Sequence, residues 1–274
     1  MIALKQVAGQ TTGRLGLTVL VKEKIPLDDI PPKQRVPGTM TLSDERFATD
    51  VLIWPRMVEQ ALTAGYIISD QLRQGTLSCF ARTELGLFGL TCGHCLFGID
   101  GSPTTPTPVQ VYVPGKGFLP LGESVISIFA PAHNGPGGYG YVDCGLLSLS
   151  GPMMTRAVQA RPLTVATGDG ALLGAVLQGY SMLQPGPGVP PVRQARIVGI
   201  DKWAIDERAD LVIEVAPPGT FAGDSGLLWR TADGRAAAIH CRGEHVPALN
   251  GSRLTTAMSA RRAADLLGVT LLWD

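Results

Sequence analysis

The chain has 274 residues, of which 34 are glycine and 21 proline, about a fifth of the total against a usual share nearer ~12%. Charged residues make up 17% and hydrophobic residues 45%, so a sizeable core can be buried and global disorder is excluded; no three-residue glycine period points to collagen. Lys plus Arg equals Asp plus Glu at 23 each, so no overall field favours nucleic acid or an anionic membrane surface, and neither is expected as a partner.

Taken from the start, Met1 to Gln6 lacks the apolar stretch and small-residue cleavage site of a secretory signal, and a cytoplasmic location is the expectation. Residues 15–21 read as a strand. A charged, proline-rich connection follows at 22–37, and residues 50–54 read as a second strand, ended by Pro55. Together these predict a small N-terminal α+β appendage over residues 1–70. From 76 to 150 the chain becomes short apolar runs bounded by glycine or proline, at 76–81, 87–90, 109–113, 124–129 and 145–149. The same grammar resumes at 157–165, 173–180, 195–200, 211–215, 226–229 and 236–240. Two blocks of about six strands predict an all-β molecule of paired barrels or a sandwich. One helix is predicted at 255–267, with Met258, Ala263, Leu266 and Leu267 on one face and a stop at Gly268. The uncharged stretches 124–142 and 171–192 are broken by several Gly and Pro and read as strands and loops, not membrane helices.

Three segments carry candidate chemistry: Leu90-Thr91-Cys92-Gly93-His94-Cys95, Tyr141-Val142-Asp143-Cys144-Gly145-Leu146-Leu147, and Thr220-Phe221-Ala222-Gly223-Asp224-Ser225-Gly226. Each alone is weak, but their order is informative. A hydroxyl is a poor nucleophile by itself; it needs a base for its proton, a carboxylate to orient that base, and donors for the oxyanion. A His at a strand end, then an Asp, then a Ser can converge between two barrels.

In this order the segments resemble those of the chymotrypsin-like (trypsin-like) serine peptidases, over about residues 75–270. The resemblance implies a double β-barrel with a C-terminal helix: a first barrel over 71–155 carrying His94 and Asp143, and a second over 156–274 carrying Ser225. By position, Ser225 is the nucleophile, His94 the general base and then acid, and Asp143 the orienting carboxylate. The N–H groups of Gly223 and Ser225 form the oxyanion hole. Where trypsin has a carboxylate in its pocket this chain has Gly219, whereas Thr220, His240 and Gly243 resemble the substrate-binding positions of glutamyl endopeptidases. A hydroxyl and an imidazole can donate to a carboxylate or amide, which implies Glu or Gln before the scissile bond. The N-terminal region resembles the leader of uncharacterised bacterial trypsin-like proteins, and the appendage is expected to engage a regulatory partner or a second copy of the chain.

The chain departs from that pattern in several places. Leu227-Leu228 follows Gly226, and Cys241 replaces a serine that would support Asp143. Arg196-Ile197-Val198-Gly199 is spelled like an activation site but lies between Asp143 and Ser225, so no conventional zymogen cleavage is expected; the appendage, an internal cation or a partner would stabilise Asp224. Five cysteines, Cys79, Cys92, Cys95, Cys144 and Cys241, are expected as reduced thiols. Many secreted family members pair the positions of Cys79 and Cys95, and thiols flanking the triad would make activity redox-sensitive. Cys92-Gly93-His94-Cys95 is also the spelling of a thiol–disulfide motif, but no helix of useful length follows it. A zinc site from Cys92, His94 and Cys95 lacks a second ligand pair. An esterase reading lacks the Gly-x-Ser-x-Gly elbow. No metal and no cofactor are expected, and the substrate is a protein or peptide. The competing reading is a catalytically silent, protease-like binding or regulatory module.

Overall fold

A computed structural model gives the three-dimensional structure. It describes residues 2–7, 10–21, 23–42, 45–53, 57–59, 66–69, 73–96, 106–113, 115–130, 142–181, 191–203, 208–244 and 253–273. The appendage contributes β1 (Ile2–Val7), β2 (Gln10–Val21), β3 (Thr39–Leu42), β4 (Glu45–Ile53) and β5 (Met57–Glu59), with two single turns of 3-10 helix after β2. Then come β6 (Tyr66–Ser69), β7 (Gln74–Leu77), β8 (Cys79–Thr83), β9 (Gly86–Thr91), β10 (Pro108–Val113), β11 (Gly117–Ala130) and β12 (Val142–Ser148). Helix α1 (Gly151–Gln159) and the short β13 (Arg161–Pro162) lead to α2 (Asp169–Leu172), β14 (Val176–Tyr180), β15 (Val192–Trp203), β16 (Arg208–Val215), β17 (Leu228–Thr231), β18 (Ala236–Glu244) and β19 (Leu254–Ser259). Helix α3 (Ala260–Leu267) and β20 (Thr270–Trp273) complete the described chain.

Strands β14, β17, β18, β19, β16 and β15 pair in that order, and β15 pairs back onto β14, closing a six-stranded barrel. Period-two patterning explains why these segments are strands. Along β15, Arg193, Ala195 and Ile197 are buried while Val192, Gln194 and Arg196 are exposed, and in β14 Leu177 and Gly179 face inward. The barrel interior is filled by Leu177, Ile197, Leu211, Ile213 and Trp229. The other sheet runs β13-β20-β8-β9-β12-β11-β10-β6-β7, around a core that includes Ile68, Phe80, Val111, Leu121 and Leu147. β20, the last strand, thus returns to the first half of the molecule. A third cluster, with Cys92, Cys144, Cys241, Met258 and the alanines of α3, packs between the two. This is a double β-barrel arrangement with a C-terminal helix.

The appendage extends the second barrel: β1 pairs with β15 at Ala3↔Gly199, β2 with β1, and β4 parallel to β2. Two elements differ from their sequence reading. Residues 254–259 are strand, paired on both sides by β16 and β18, so the C-terminal helix begins only at Ala260. A threonine-rich, β-branched stretch with a partner on each edge stays extended, and Ser259 then caps the helix by accepting from Arg262 N–H. Residues 157–159 end helix α1, which opens after Ser150 with a Gly-Pro start that suits a first helical turn. Among the described residues no helix is long and apolar enough to cross a membrane.

Candidate active site

His94 sits in a 3-10 turn, Gly93–Leu96, directly after β9. β9 pairs antiparallel with β12 in the register Thr91↔Gly145, which brings Asp143 beside the turn. Both side chains are buried. The His94 N–H donates to Asp143 Oδ1 at 2.9 Å, and His94 Nδ1 lies 2.6 Å from Asp143 Oδ2. An ionised carboxylate can only accept, so Nδ1 carries the proton and Nε2 is left as the basic nitrogen. Nε2 is buried and has no hydrogen-bond partner among the described residues. Burial disfavours the His94 cation, but the Asp143 carboxylate and the Cys95 sulfur outweigh it and hold the imidazole well above its ordinary value. Burial likewise pushes Asp143 up, and the neighbouring His94, aided by Arg242, brings it below the ordinary carboxylate value.

Ser225 comes from the other half of the molecule, and its loop is clamped between strands of both. Thr76 N–H in β7 donates to Ser225 O at 2.7 Å and Thr76 Oγ1 to Gly223 O at 2.8 Å, while Gly226 N–H donates to His240 O in β18 at 2.8 Å. Gly223 and Gly226 have φ of 106° and 96°, in the region that favours glycine. At Gly226 space forbids a side chain as well, since a Cβ would lie 2.1 Å from Thr76 O. The loop therefore turns sharply at these two glycines. Ser225 Oγ donates to Cys241 O at 3.1 Å.

Asp224, next to Ser225, is completely buried. It accepts from Phe221 N–H at 2.8 Å and from Ser181 Oγ at 2.7 Å. Burial pushes its carboxyl up, these bonds and the Arg193 cation offset part of that rise, and burial lowers Arg193 in turn. Arg193 is itself buried and stacks at 5.7 Å on Phe221. Arg193 is thus a buried cation whose charge acts on Asp224 through space, and Ser181 is a hydrogen-bonding support that the sequence alone does not reveal. A signal for Arg193 existed: it continues inward the alternation of Ala195 and Ile197.

Thr220 is fully buried in the turn ahead of Phe221. His240 is fully buried in β18 with its ring edge-on to Trp229 at 6.3 Å, and burial, aided by the His94 charge, lowers it to about 3, so it is neutral at neutral pH. Gly243 lies three residues along the same strand. All five cysteines are buried and unbridged, Cys79 and Cys95 included. Burial pushes Cys79 and Cys144 up to about 12 and Cys92 well above its ordinary value. Protonated, enclosed thiols are poor nucleophiles. The ligand atoms of Cys92, His94 and Asp143 lie within 4.8 Å of one another, a set that could hold a metal ion, with Asp143 in the place that the sequence reading gave to Cys95.

No protein-family model matches the chain, and no curated protein matches it. Solved structures do. The chain is similar to Protease A of Thermobifida fusca at 15% identity and a TM-score of 0.47, covering 78% of this chain and all of that one. A glutamic acid specific serine protease matches at 13% identity and 0.48, over 77% of this chain and 100% of that one. The Rv3671c protease of M. tuberculosis matches at 20% and 0.43, over 77% and 80%. All three are proteases.

Proposed function

We propose that the chain is a serine endopeptidase that cuts protein or peptide substrates through Ser225, His94 and Asp143, with a preference for Glu or Gln before the scissile bond. The observation that carries this reading is the buried His94–Asp143 pair, whose 2.6 Å bond sets Nδ1 as donor and leaves Nε2 without a hydrogen-bond partner among the described residues. In the reaction Ser225 Oγ rotates from Cys241 O towards Nε2, gives up its proton there, and adds to the substrate carbonyl; Gly223 and Ser225 N–H groups take the oxyanion. His94 then protonates the leaving amine and water releases the acyl group. The pocket preference is supported by two buried polar side chains, Thr220 and a neutral His240, each able to donate to a Glu carboxylate or a Gln amide. Five unbridged thiols fit action in a reducing compartment such as the cytoplasm.

A fluorophosphonate probe should modify Ser225 stoichiometrically, and an unbiased digest profile should show cuts after Glu or Gln. Ser225→Ala should abolish labelling and lower kcat by on the order of 10⁶-fold. No labelling under any activating condition would leave the silent binding module as the better reading. A profile led by Arg, Lys or large apolar residues would reject the polar pocket alone.

A further inference from the structure

One edge of β18 is covered by β19, from Ala238↔Ser259 to Gly243↔Thr255. The other edge is shared. β17 pairs along it as far as Ile239, opposite Leu228, and the Ser225 loop takes the next two positions, with Gly226 N–H on His240 O at 2.8 Å and Ser225 Oγ on Cys241 O at 3.1 Å. The stretch that follows is taken by the chain's own β5, in the antiparallel register Arg242↔Glu59, Gly243↔Val58 and Glu244↔Met57. β5 therefore runs towards Ser225 as its residue numbers rise. The same stretch borders His94 as well, since the Arg242 guanidinium stacks at 5.5 Å on Phe129, whose ring is edge-on to His94 at 6.3 Å.

From this pairing we propose that β5 is a built-in competitor of substrate: it fills the strand edge on which the part of a peptide upstream of the scissile bond lies, so an external peptide binds only once β5 has come off. The inference rests on the peptidase reading above. An extended peptide joins a sheet by adding to a strand edge, where main-chain hydrogen bonds hold it. Ser225 Oγ stands at the level of Cys241 O, and Gly243 is among the residues proposed to contact substrate, so the upstream part of the peptide runs along Arg242 to Glu244. Residues upstream of the bond carry lower numbers and recede from Ser225 as the numbers of β18 rise. Such a peptide is antiparallel to β18, which is the sense in which β5 already lies. One edge cannot pair with two strands at once, and β17, the Ser225 loop and β19 hold the remaining positions among the described residues. The substrate and β5 therefore exclude each other. Competition of this kind multiplies the apparent KM by the reciprocal of the open fraction and leaves kcat unchanged at saturating substrate.

Steady-state kinetics of the full chain on a peptide with Gln or Glu before the scissile bond test this. Alternate N–H groups of an antiparallel strand point at its partner, so at least one of Val58→Pro and Glu59→Pro removes a ladder donor whichever phase the pairing has. In that variant KM should fall by about tenfold or more, with kcat within about twofold of the parent. Labelling of Ser225 by a small fluorophosphonate, which needs no strand edge, should proceed at the parent rate in both. Amide exchange on Ser225→Ala gives a second measurement with β5 unaltered: saturating peptide should expose the amides of 57–59 while those of 242–244 stay protected. The inference is overturned, with the peptidase reading intact, if the peptide is cut but neither proline variant lowers KM, or if 57–59 are as protected with the peptide bound as without it. Absence of labelling and of hydrolysis in the parent and both variants overturns the peptidase reading itself and the inference with it.

Discussion

A carboxylate and an imidazole buried together stabilise each other's charges, and that coupling has a measurable consequence at His94. The proposed mechanism needs His94 neutral, yet Asp143 holds it well above its ordinary value of 6.5. The acid limb of kcat/KM should therefore lie at a higher pH than an unperturbed histidine would give. Asp143→Asn should move that limb down while lowering the rate by on the order of 10⁴-fold; a limb unchanged by the substitution would exclude Asp143 as the cause. His240 has the opposite sign. Its folded value near 3 lies below 6.5, so the unfolded chain binds more protons between the two. Its contribution to stability is fully present above 6.5 and is lost as pH falls towards 3. Thermal melts from pH 7 to pH 4 should show that fall, and His240→Gln should flatten it. His94 and Ser225 could be picked out from their motifs, because each motif is local. Arg193 and Ser181 could not be linked to Asp224 in the same way, because it is 31 and 43 positions away and only folding brings Ser181 into contact with it and the Arg193 charge within its reach.

The elements around Ser225 act as a clamp: β7 on one side and β18 on the other hold the loop by its backbone. Thr76 supplies two of those bonds, to Ser225 O and Gly223 O. Thr76→Val keeps the strand and its N–H but removes the hydroxyl donor, leaving Gly223 O short of one buried partner. We expect a loss of about 1–2 kcal/mol in stability and a fall in kcat with KM little changed. An equal rise in KM with constant kcat would show that the clamp acts on substrate binding instead. The same elements illustrate how far periodicity reads. Alternation in β14 and β15 predicts strands there correctly. At 255–267 the apolar stripe predicts one helix, although residues 255–259 belong to a strand between two partners. Leu-Thr-Thr-Ala-Met-Ser is short enough to satisfy either period, and hydrogen bonding to β16 and β18 decides between them.

At the scale of the molecule, the six-stranded barrel closes through β14 and β15 without any appendage strand. The appendage instead covers the edge of β15 around Gly199 and Ile200. A chain truncated before residue 54 should therefore still unfold cooperatively, but with a newly bare strand edge it should self-associate. Sedimentation velocity across a range of concentrations would check this, and a truncated chain that is monomeric throughout would refute it. By itself the amino-acid sequence determined the all-β class, the two strand blocks, and the order of His94, Asp143 and Ser225, because strand period, turn residues and short motifs are local properties of the chain. Tertiary structure alone decided that Arg193 and Ser181 attend Asp224, that all five thiols are enclosed, and that β5 lies on β18 beside Ser225. Each of those depends on burial or on pairing between distant segments, and neither quantity exists until the sheets have formed.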